Sequence, residues 1–300
     1  MVTVHVERAP RPLPRVNLVA LAGRSLGAIP PPAQVLAGIL CVQVGAALAK
    51  QLFGVVGSAG AVALRLFFAA FVLVVVWRPS TRMSRRAWAV VVAYGVVLGV
   101  MNLCFYLALS KIPLGVAVTI EFLGPLAVAI GGSRRWVDGL WALFAAGGVV
   151  LLTEARGELH LVGILFALAA AVCWASYILL SAALGRHTSD GGGLALAMVL
   201  AAVVVVPVGL VDTGTALFEP WVLAVGLGVA LMSSVIPYSL ELEALRRIPP
   251  KVFGVLMSLE PAVAALIGLL MLGETLGPLQ WLAILLVVTA SAGATRTARS

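Results

Sequence analysis

The sequence predicts an all-α polytopic membrane protein whose ten transmembrane helices form two inverted five-helix repeats around a central cavity. Three observations support this fold class. The composition is 62% hydrophobic and only 11% charged, whereas about a quarter of the residues in a soluble domain are charged. Ten apolar stretches are each long enough to cross the bilayer as a helix. The basic residues fall almost entirely in the connections on one side of these stretches.

The ten apolar stretches follow one another with short connections. Because a helix rises about 1.5 Å per residue, roughly 20 apolar residues cross about 30 Å of hydrocarbon. The predicted spans are residues 33–52, 58–77, 88–109, 114–132, 137–153, 160–182, 192–211, 220–240, 250–272 and 277–295. Residues 1–32 are rich in arginine and proline, and their apolar stretch is too short for a signal peptide. We expect this segment to be a flexible cytoplasmic tail.

The basic residues also predict the orientation, because cytoplasmic loops are enriched in lysine and arginine. With the N-terminus in the cytoplasm, sixteen basic residues lie on the cytoplasmic side and only Lys111 and Arg156 lie on the other side. One missed span would scramble this alternation, so the asymmetry also supports an even number of helices. We therefore expect a multi-pass protein with both termini in the cytoplasm.

An internal repeat predicts how the helices are arranged. A shift of 136 residues lays Ile112-Pro113 on Ile248-Pro249 and Pro125 on Pro261. It pairs the fourth span with the ninth, which divides the chain into two units of five spans, residues 33–153 and residues 160–295. Because five is odd, the second unit enters the membrane from the opposite side, as in many secondary transporters.

Two carboxyl groups, Glu121 and Glu260, lie near the middle of these paired spans. An ionisable group inside the bilayer costs about 2.5–3.5 kcal/mol on insertion scales, and such groups commonly mark substrate or ion pathways. A structural carboxylate bonded to a neighbouring helix is the alternative. Pro125 and Pro261 follow the two acids and are expected to break the helices, since a proline frees backbone carbonyls one turn earlier. We expect both acids to face one central space.

Two basic side chains lie within or at the edge of the spans. Arg65 is a candidate clamp for a substrate carboxylate, with a structural pairing to a membrane acid as the alternative. Lys50 ranks below it, because its long side chain can reach the interface. Polar and aromatic side chains inside the spans are candidates for the wall of a binding site, with helix-to-helix bonding and core packing as alternatives. These candidates are Asn102, Tyr106, Trp174, Tyr177 and Tyr238.

Signatures of catalysis and of metal binding are missing from the sequence. It contains no G-x-x-x-x-G-K-[ST] loop, no H-E-x-x-H motif and no G-x-S-x-G elbow. Cys41, Cys104 and Cys173 lie in apolar runs, where a cysteine behaves as a small hydrophobic residue. We therefore predict a protein that is not an enzyme and that has neither a cofactor nor a metal site nor a nucleic-acid partner.

Several segments resemble a known family. They include GAALAKQLF at 45–53, EFLGP at 121–125, SLEPAVAAL at 258–266 and Leu272-Gly273-Glu274. These segments are similar to the drug/metabolite transporter superfamily in its EamA-type branch, and within it to the threonine and homoserine exporters. The resemblance implies a secondary active transporter of the bacterial inner membrane. Such a protein would export small neutral amino acids, chiefly threonine and homoserine, by proton antiport.

The alternative within this class is an EamA-type exporter of another metabolite or drug. A zwitterion needs both a cationic and an anionic partner in the cavity, whereas a hydrophobic cation needs only an acid and aromatic walls. An intramembrane enzyme is disfavoured by the missing histidine and metal ligands, and a passive channel by midplane acids in an inverted repeat. We also expect at least one of Glu121 and Glu260 to exchange a proton during transport.

Overall fold

A computed structural model describes residues 29–131, 136–154, 160–185, 192–245 and 247–297 of the chain. All regular elements in these ranges are helices. Most of the predicted tail, residues 1–28, lies outside the described residues. So do several of the arginines that predict the orientation, among them Arg134, Arg135, Arg156 and Arg186.

The helices follow the predicted spans closely. They are α1 (Pro31–Gln51), α2 (Phe53–Trp77), α3 (Arg85–Leu109), α4 (Leu114–Glu121), α5 (Leu123–Gly131), α6 (Trp136–Glu154), α7 (Leu161–Gly185), α8 (Gly192–Thr213), α9 (Pro220–Ala230), α10 (Ile236–Leu245), α11 (Pro250–Met257), α12 (Glu260–Leu272) and α13 (Pro278–Thr297). Eight stretches are long and apolar enough to cross a membrane, and two shorter apolar stretches, Leu114–Val128 and Gly139–Gly148, accompany them. This confirms the prediction of a polytopic membrane protein with about ten transmembrane helices.

Two of the membrane segments are broken near their middle. The fourth segment consists of α4 and α5, with the break after Glu121, and the ninth consists of α11 and α12, with the break after Met257. Each first half ends four residues before a proline, Pro125 or Pro261. A proline ring clashes with the carbonyl four residues earlier and has no N–H to donate to it. The prolines thus place the ends of both half-helices.

The helix contacts pair in a regular pattern. The bounds of α11 are those of α4 shifted by 136 residues. In addition, α1 packs against α10 as α7 packs against α3, while α2 contacts α8, α6 contacts α13 and α4 contacts α12. A pseudo-two-fold relation between residues 33–153 and 160–295 would produce this pairing. The division into two repeats stays a prediction.

The eighth membrane segment contains a π-helical turn, Leu231–Val235, between α9 and α10. Helix α1 lies directly against this turn, because a Cβ at Gly45 would collide with Ser233 Oγ. Such turns insert an extra residue into a helix and are frequent at functional sites. Here the turn places Ser233 and Ser234 inside the bundle, where both side chains are buried.

Candidate functional site

A cavity of about 400 Å³ lies beside the two helix breaks, where Glu121, Phe122, Met257 and Glu260 all contribute to its wall. Most of the wall is apolar and comes from α1, α3, α4, α5, α7 and α11. A largely apolar cavity with a few converging polar groups is the usual form of a small-molecule site. Its volume is near the lower end of the range for such sites, about 300–1,000 Å³.

Three carboxyl groups line this cavity. Glu121 and Glu260 are 8% and 6% exposed, and the structure brings them to the common space expected from the sequence. Glu241 on α10 is the third. Sequence reasoning assigns it no role, because the predicted span ends at residue 240 whereas α10 continues to Leu245. Tyr238 is a predicted site residue three positions earlier and therefore on the same helix face, and it was the signal that could have identified Glu241.

Arg65 on α2 is the one cation that lines the cavity among the described residues. Its guanidinium is 8% exposed and is held by the π-helical turn. Nη2 donates to the carbonyl of Ser233 at 3.1 Å, and Nε donates to Ser234 Oγ at 3.4 Å. The guanidinium carbon lies 5.6 Å from the centre of the Tyr106 ring. The charge is thus fixed in place, with further N–H groups left for a ligand.

Glu260 is bonded to a side chain that sequence reasoning assigns no site role. Gln43 Nε2, on α1, donates to Glu260 Oε1 at 3.0 Å. The other two oxygens of this pair, Gln43 Oε1 and Glu260 Oε2, are buried and have no hydrogen-bond partner. A buried acceptor without a partner costs about 1–3 kcal/mol. Both residues line the cavity, and a hydrogen-bond donor is the group that these two oxygens lack.

The predicted aromatic and amide candidates divide into three groups. Trp174, Tyr177 and Tyr238 line the cavity, and Tyr177 is stacked on Tyr94 with ring centres 4.9 Å apart. Asn102 also lines it, although its Nδ2 donates to the carbonyl of Leu98 one turn earlier in α3. Tyr106 lies beneath Arg65 rather than in the cavity wall.

Lys50 lies outside the cavity wall. Its Nζ is 2.6 Å from Glu274 Oε1 and 3.0 Å from the carbonyl of Ile112. Glu274 Oε2 in turn accepts the backbone N–H of Leu114 at 2.7 Å. This cluster joins the end of α1 to the start of α4 and to the loop after α12. Pro125 contributes to the cavity wall, and Pro261 lies in the first turn of α12.

The residues that line the cavity differ in burial. Glu241, Phe253 and Thr295 are partly exposed, and they lie near the end of α10, the start of α11 and the end of α13. Gln43 and Arg65, farther from these helix ends, are buried. Partly exposed lining residues also lie on α1, α3 and α7, among them Val42, Met101 and Trp174. No group of three or more histidine, cysteine or acidic residues in the described part of the chain is arranged to hold a metal ion.

Comparisons with known proteins identify similar chains. A model of the EamA-like transporter family matches residues 161–296. The threonine/homoserine exporter RhtA of Escherichia coli strain K12 is 42% identical over 268 residues, covering 88% of this chain and 90% of that protein. RhtA of Salmonella typhimurium strain LT2 is 42% identical over 262 residues, covering 86% and 88%.

More distant matches extend the likeness. The uncharacterized transporter YwfM of Bacillus subtilis strain 168 is 25% identical over 247 residues, covering 76% of this chain and 82% of that protein. A solved crystal structure at 22% identity covers 89% of this chain and 98% of its own, with a TM-score of 0.57. That structural likeness bears on the fold alone.

Proposed function

The chain belongs to the EamA-like transporter family, and from this membership we propose that it exports small neutral amino acids, chiefly threonine and homoserine, from the cytoplasm. It is a multi-pass membrane transporter and not an enzyme. The observation that carries the proposal is one fixed guanidinium and three carboxyl groups in the wall of a single small cavity. This is the charge pattern that a zwitterion requires.

The two ends of the substrate would bind to different groups. Arg65 meets the substrate carboxylate, because a guanidinium can hold two carboxylate oxygens with parallel hydrogen bonds. Glu260 or Glu121 accepts hydrogen bonds from the substrate's ammonium group. An uncharged side chain of the substrate then lies against the apolar wall, which includes Phe105 and Met101.

Transport would be driven by proton antiport. Removing a carboxylate from water favours its neutral form, and neighbouring carboxylates favour it further. Glu121 or Glu260 therefore takes up a proton when the cavity is open to the outside and releases it to water when the cavity is open to the cytoplasm. The ionised acid then binds the ammonium group of the next substrate.

The orientation follows from the same proposal. With both termini in the cytoplasm of a bacterial inner membrane, the connection between α10 and α11 lies on the cytoplasmic side, from which an exporter takes its substrate, and Glu241 and Phe253 line the cavity near this connection. A reporter enzyme fused after Ser300 should be active only in the cytoplasm. Activity of that fusion only outside the cell would contradict the orientation.

The experiment that tests the proposed substrate measures amino acids inside and outside cells that overproduce the protein. The panel is the twenty common amino acids and homoserine, with cells that carry an empty vector as the control. We expect threonine and homoserine to fall inside the cells and to rise in the medium. If no amino acid changes in this way, the amino-acid assignment is wrong and export of another metabolite or drug takes its place.

A further inference from the structure

We propose that Gln43 contacts the substrate's ammonium group and that its side-chain amide reverses its orientation when Glu260 gains a proton. Substrate and proton thereby exclude one another at this pair of residues. This inference rests on the proposed function, since it assigns to Gln43 a role in binding and coupling at the same cavity.

The contacts between Gln43 and Glu260 fit an ionised Glu260. Gln43 Nε2 donates to Glu260 Oε1 at 3.0 Å, which leaves Gln43 Oε1 and Glu260 Oε2 as buried acceptors without partners. The two side chains are 1% and 6% exposed, and both line the cavity. An ammonium group carries N–H donors and no acceptor. Its donors therefore match the two acceptors of the pair that have no partner.

Protonation of Glu260 changes which groups of the pair can form hydrogen bonds. A neutral carboxyl group carries an O–H donor, which an amide N–H cannot accept. Rotation of the Gln43 amide by half a turn brings its Oε1 to this O–H, and the terminal amide torsion is soft enough to allow it. The Nε2 group then points toward the former acceptor position and opposes an ammonium group. When Glu260 loses its proton to cavity water, the amide turns back.

A purely structural role fits these contacts less well. A bond that served only to join α1 to α12 would leave two buried acceptors unsatisfied, at about 1–3 kcal/mol each. The same two acceptors carry no such cost when a ligand supplies the donors. The unsatisfied oxygens therefore favour a ligand contact over a helix tie.

Other charged and titratable groups surround Glu260, and none of them is hydrogen-bonded to it among the described residues. Those in the cavity wall are Arg65 from α2, Glu121 from α4, Tyr177 from α7, and Tyr238 and Glu241 from α10. The α13 side chains in the wall are Ser291 and Thr295, which do not titrate in the working range. Lys50, on α1, is paired with Glu274. Gln43 is thus the side chain through which the protonation state of Glu260 directly affects binding of the substrate.

The test compares Gln43→Met with the matched variant Gln34→Met in purified protein reconstituted into lipid vesicles. Methionine keeps the unbranched shape and removes the amide. Gln34 is a buried glutamine nine residues earlier in α1 that does not line the cavity. The measurement is KM and maximal rate for labelled threonine at acidic and at alkaline pH.

We expect Gln43→Met to raise KM at alkaline pH about tenfold, the effect of one lost hydrogen bond to a charged group, with little change in maximal rate. The KM for threonine should also rise less steeply as the pH falls, since the variant lacks the Nε2 group that opposes the ammonium group. Gln34→Met should match the wild type in both respects. An unchanged KM and pH dependence in a correctly inserted Gln43→Met protein overturns the inference.

A second variant covers the case in which Gln43→Met does not fold. Gln43→Glu keeps the size and polarity, and two adjacent carboxyl groups hold one proton more tightly than one does. The pH at which protons compete with threonine should therefore rise, and an unchanged value overturns the inference. If the wild type itself shows no saturable threonine transport, the proposed function has failed; if only the variants behave as wild type, this inference alone has failed.

Discussion

The substitution Arg65→Lys tests the proposed carboxylate site while keeping its charge. Guanidinium offers five N–H donors, of which Nη2 and Nε each give one to the π-helical turn, to Ser233 and Ser234. Three donors are left for a substrate carboxylate. A lysine ammonium has three donors in all, so one is left if it keeps the two contacts to the turn. A carboxylate that is held by two hydrogen bonds to Arg65 therefore loses one of them in the variant.

The expected rise in KM follows from this one lost hydrogen bond. One hydrogen bond to a charged group contributes about 1.5–3 kcal/mol, and about 1.4 kcal/mol corresponds to a factor of ten. The KM for threonine should thus rise roughly tenfold to a hundredfold. Because threoninol lacks the carboxylate, its inhibition of threonine transport should change little, and the preference for threonine over threoninol should narrow.

The assay is exchange of labelled threonine in reconstituted vesicles, with Arg78→Lys as the control. Arg78 follows the last turn of α2 and lies outside the cavity wall, so its replacement should leave KM unchanged. Size-exclusion chromatography in detergent checks that each variant is folded. If Arg65→Lys is folded and keeps both its KM and its preference for threonine, Arg65 is a structural counter-charge to the membrane acids and the carboxylate site is wrong.

The remaining predictions concern proton coupling by the membrane acids, the Lys50–Glu274 ion pair and the packing of α5 against α7. The variants Glu121→Gln and Glu260→Gln keep the size of the side chain and remove its ionisation. At least one of them should abolish export of threonine against its gradient while the protein remains in the membrane. If both variants export threonine with normal pH dependence, the two acids have a structural role only. Glu274→Gln removes one partner of the Lys50–Glu274 ion pair and should lower the melting temperature in detergent, since a lost bond to a charged group costs about 1.5–3 kcal/mol. An unchanged melting temperature would show that the pair does not stabilise the fold. Gly124→Ala should also lower the melting temperature, because the added Cβ would collide with the carbonyl of Ala171. In the control variant Gly147→Ala the added Cβ meets open space, so the melting temperature should not change. Equal melting temperatures of the two variants would contradict the close contact between α5 and α7.

The fold was largely predictable because hydrophobic length and loop charge act on whole segments. The expected spans 114–132 and 250–272 correspond to the two broken segments, since a proline four residues beyond Glu121 fixes where α4 must end. The sequence did not reveal the π-helical turn at Leu231–Val235, because one additional residue in a helix has no composition of its own.

The candidate site was predictable only in part. Glu121, Glu260 and Arg65 stand out because charge is costly in a bilayer, and all three line the cavity. Glu241 escaped because hydropathy falls at the end of its span, although the helix continues past it. The pairing of Gln43 with Glu260 depends on how α1 meets α12 across 217 residues of sequence. No local pattern encodes such a contact.

The central claim is that this protein moves amino acids by exchanging them for protons. Its most direct test uses purified protein in sealed lipid vesicles with an acidic interior and labelled threonine outside. We expect saturable accumulation of threonine above its external concentration as protons leave the vesicles, and collapse of that accumulation when a protonophore removes the proton gradient. Threonine that only equilibrates across the membrane, with no response to the pH gradient, would contradict it.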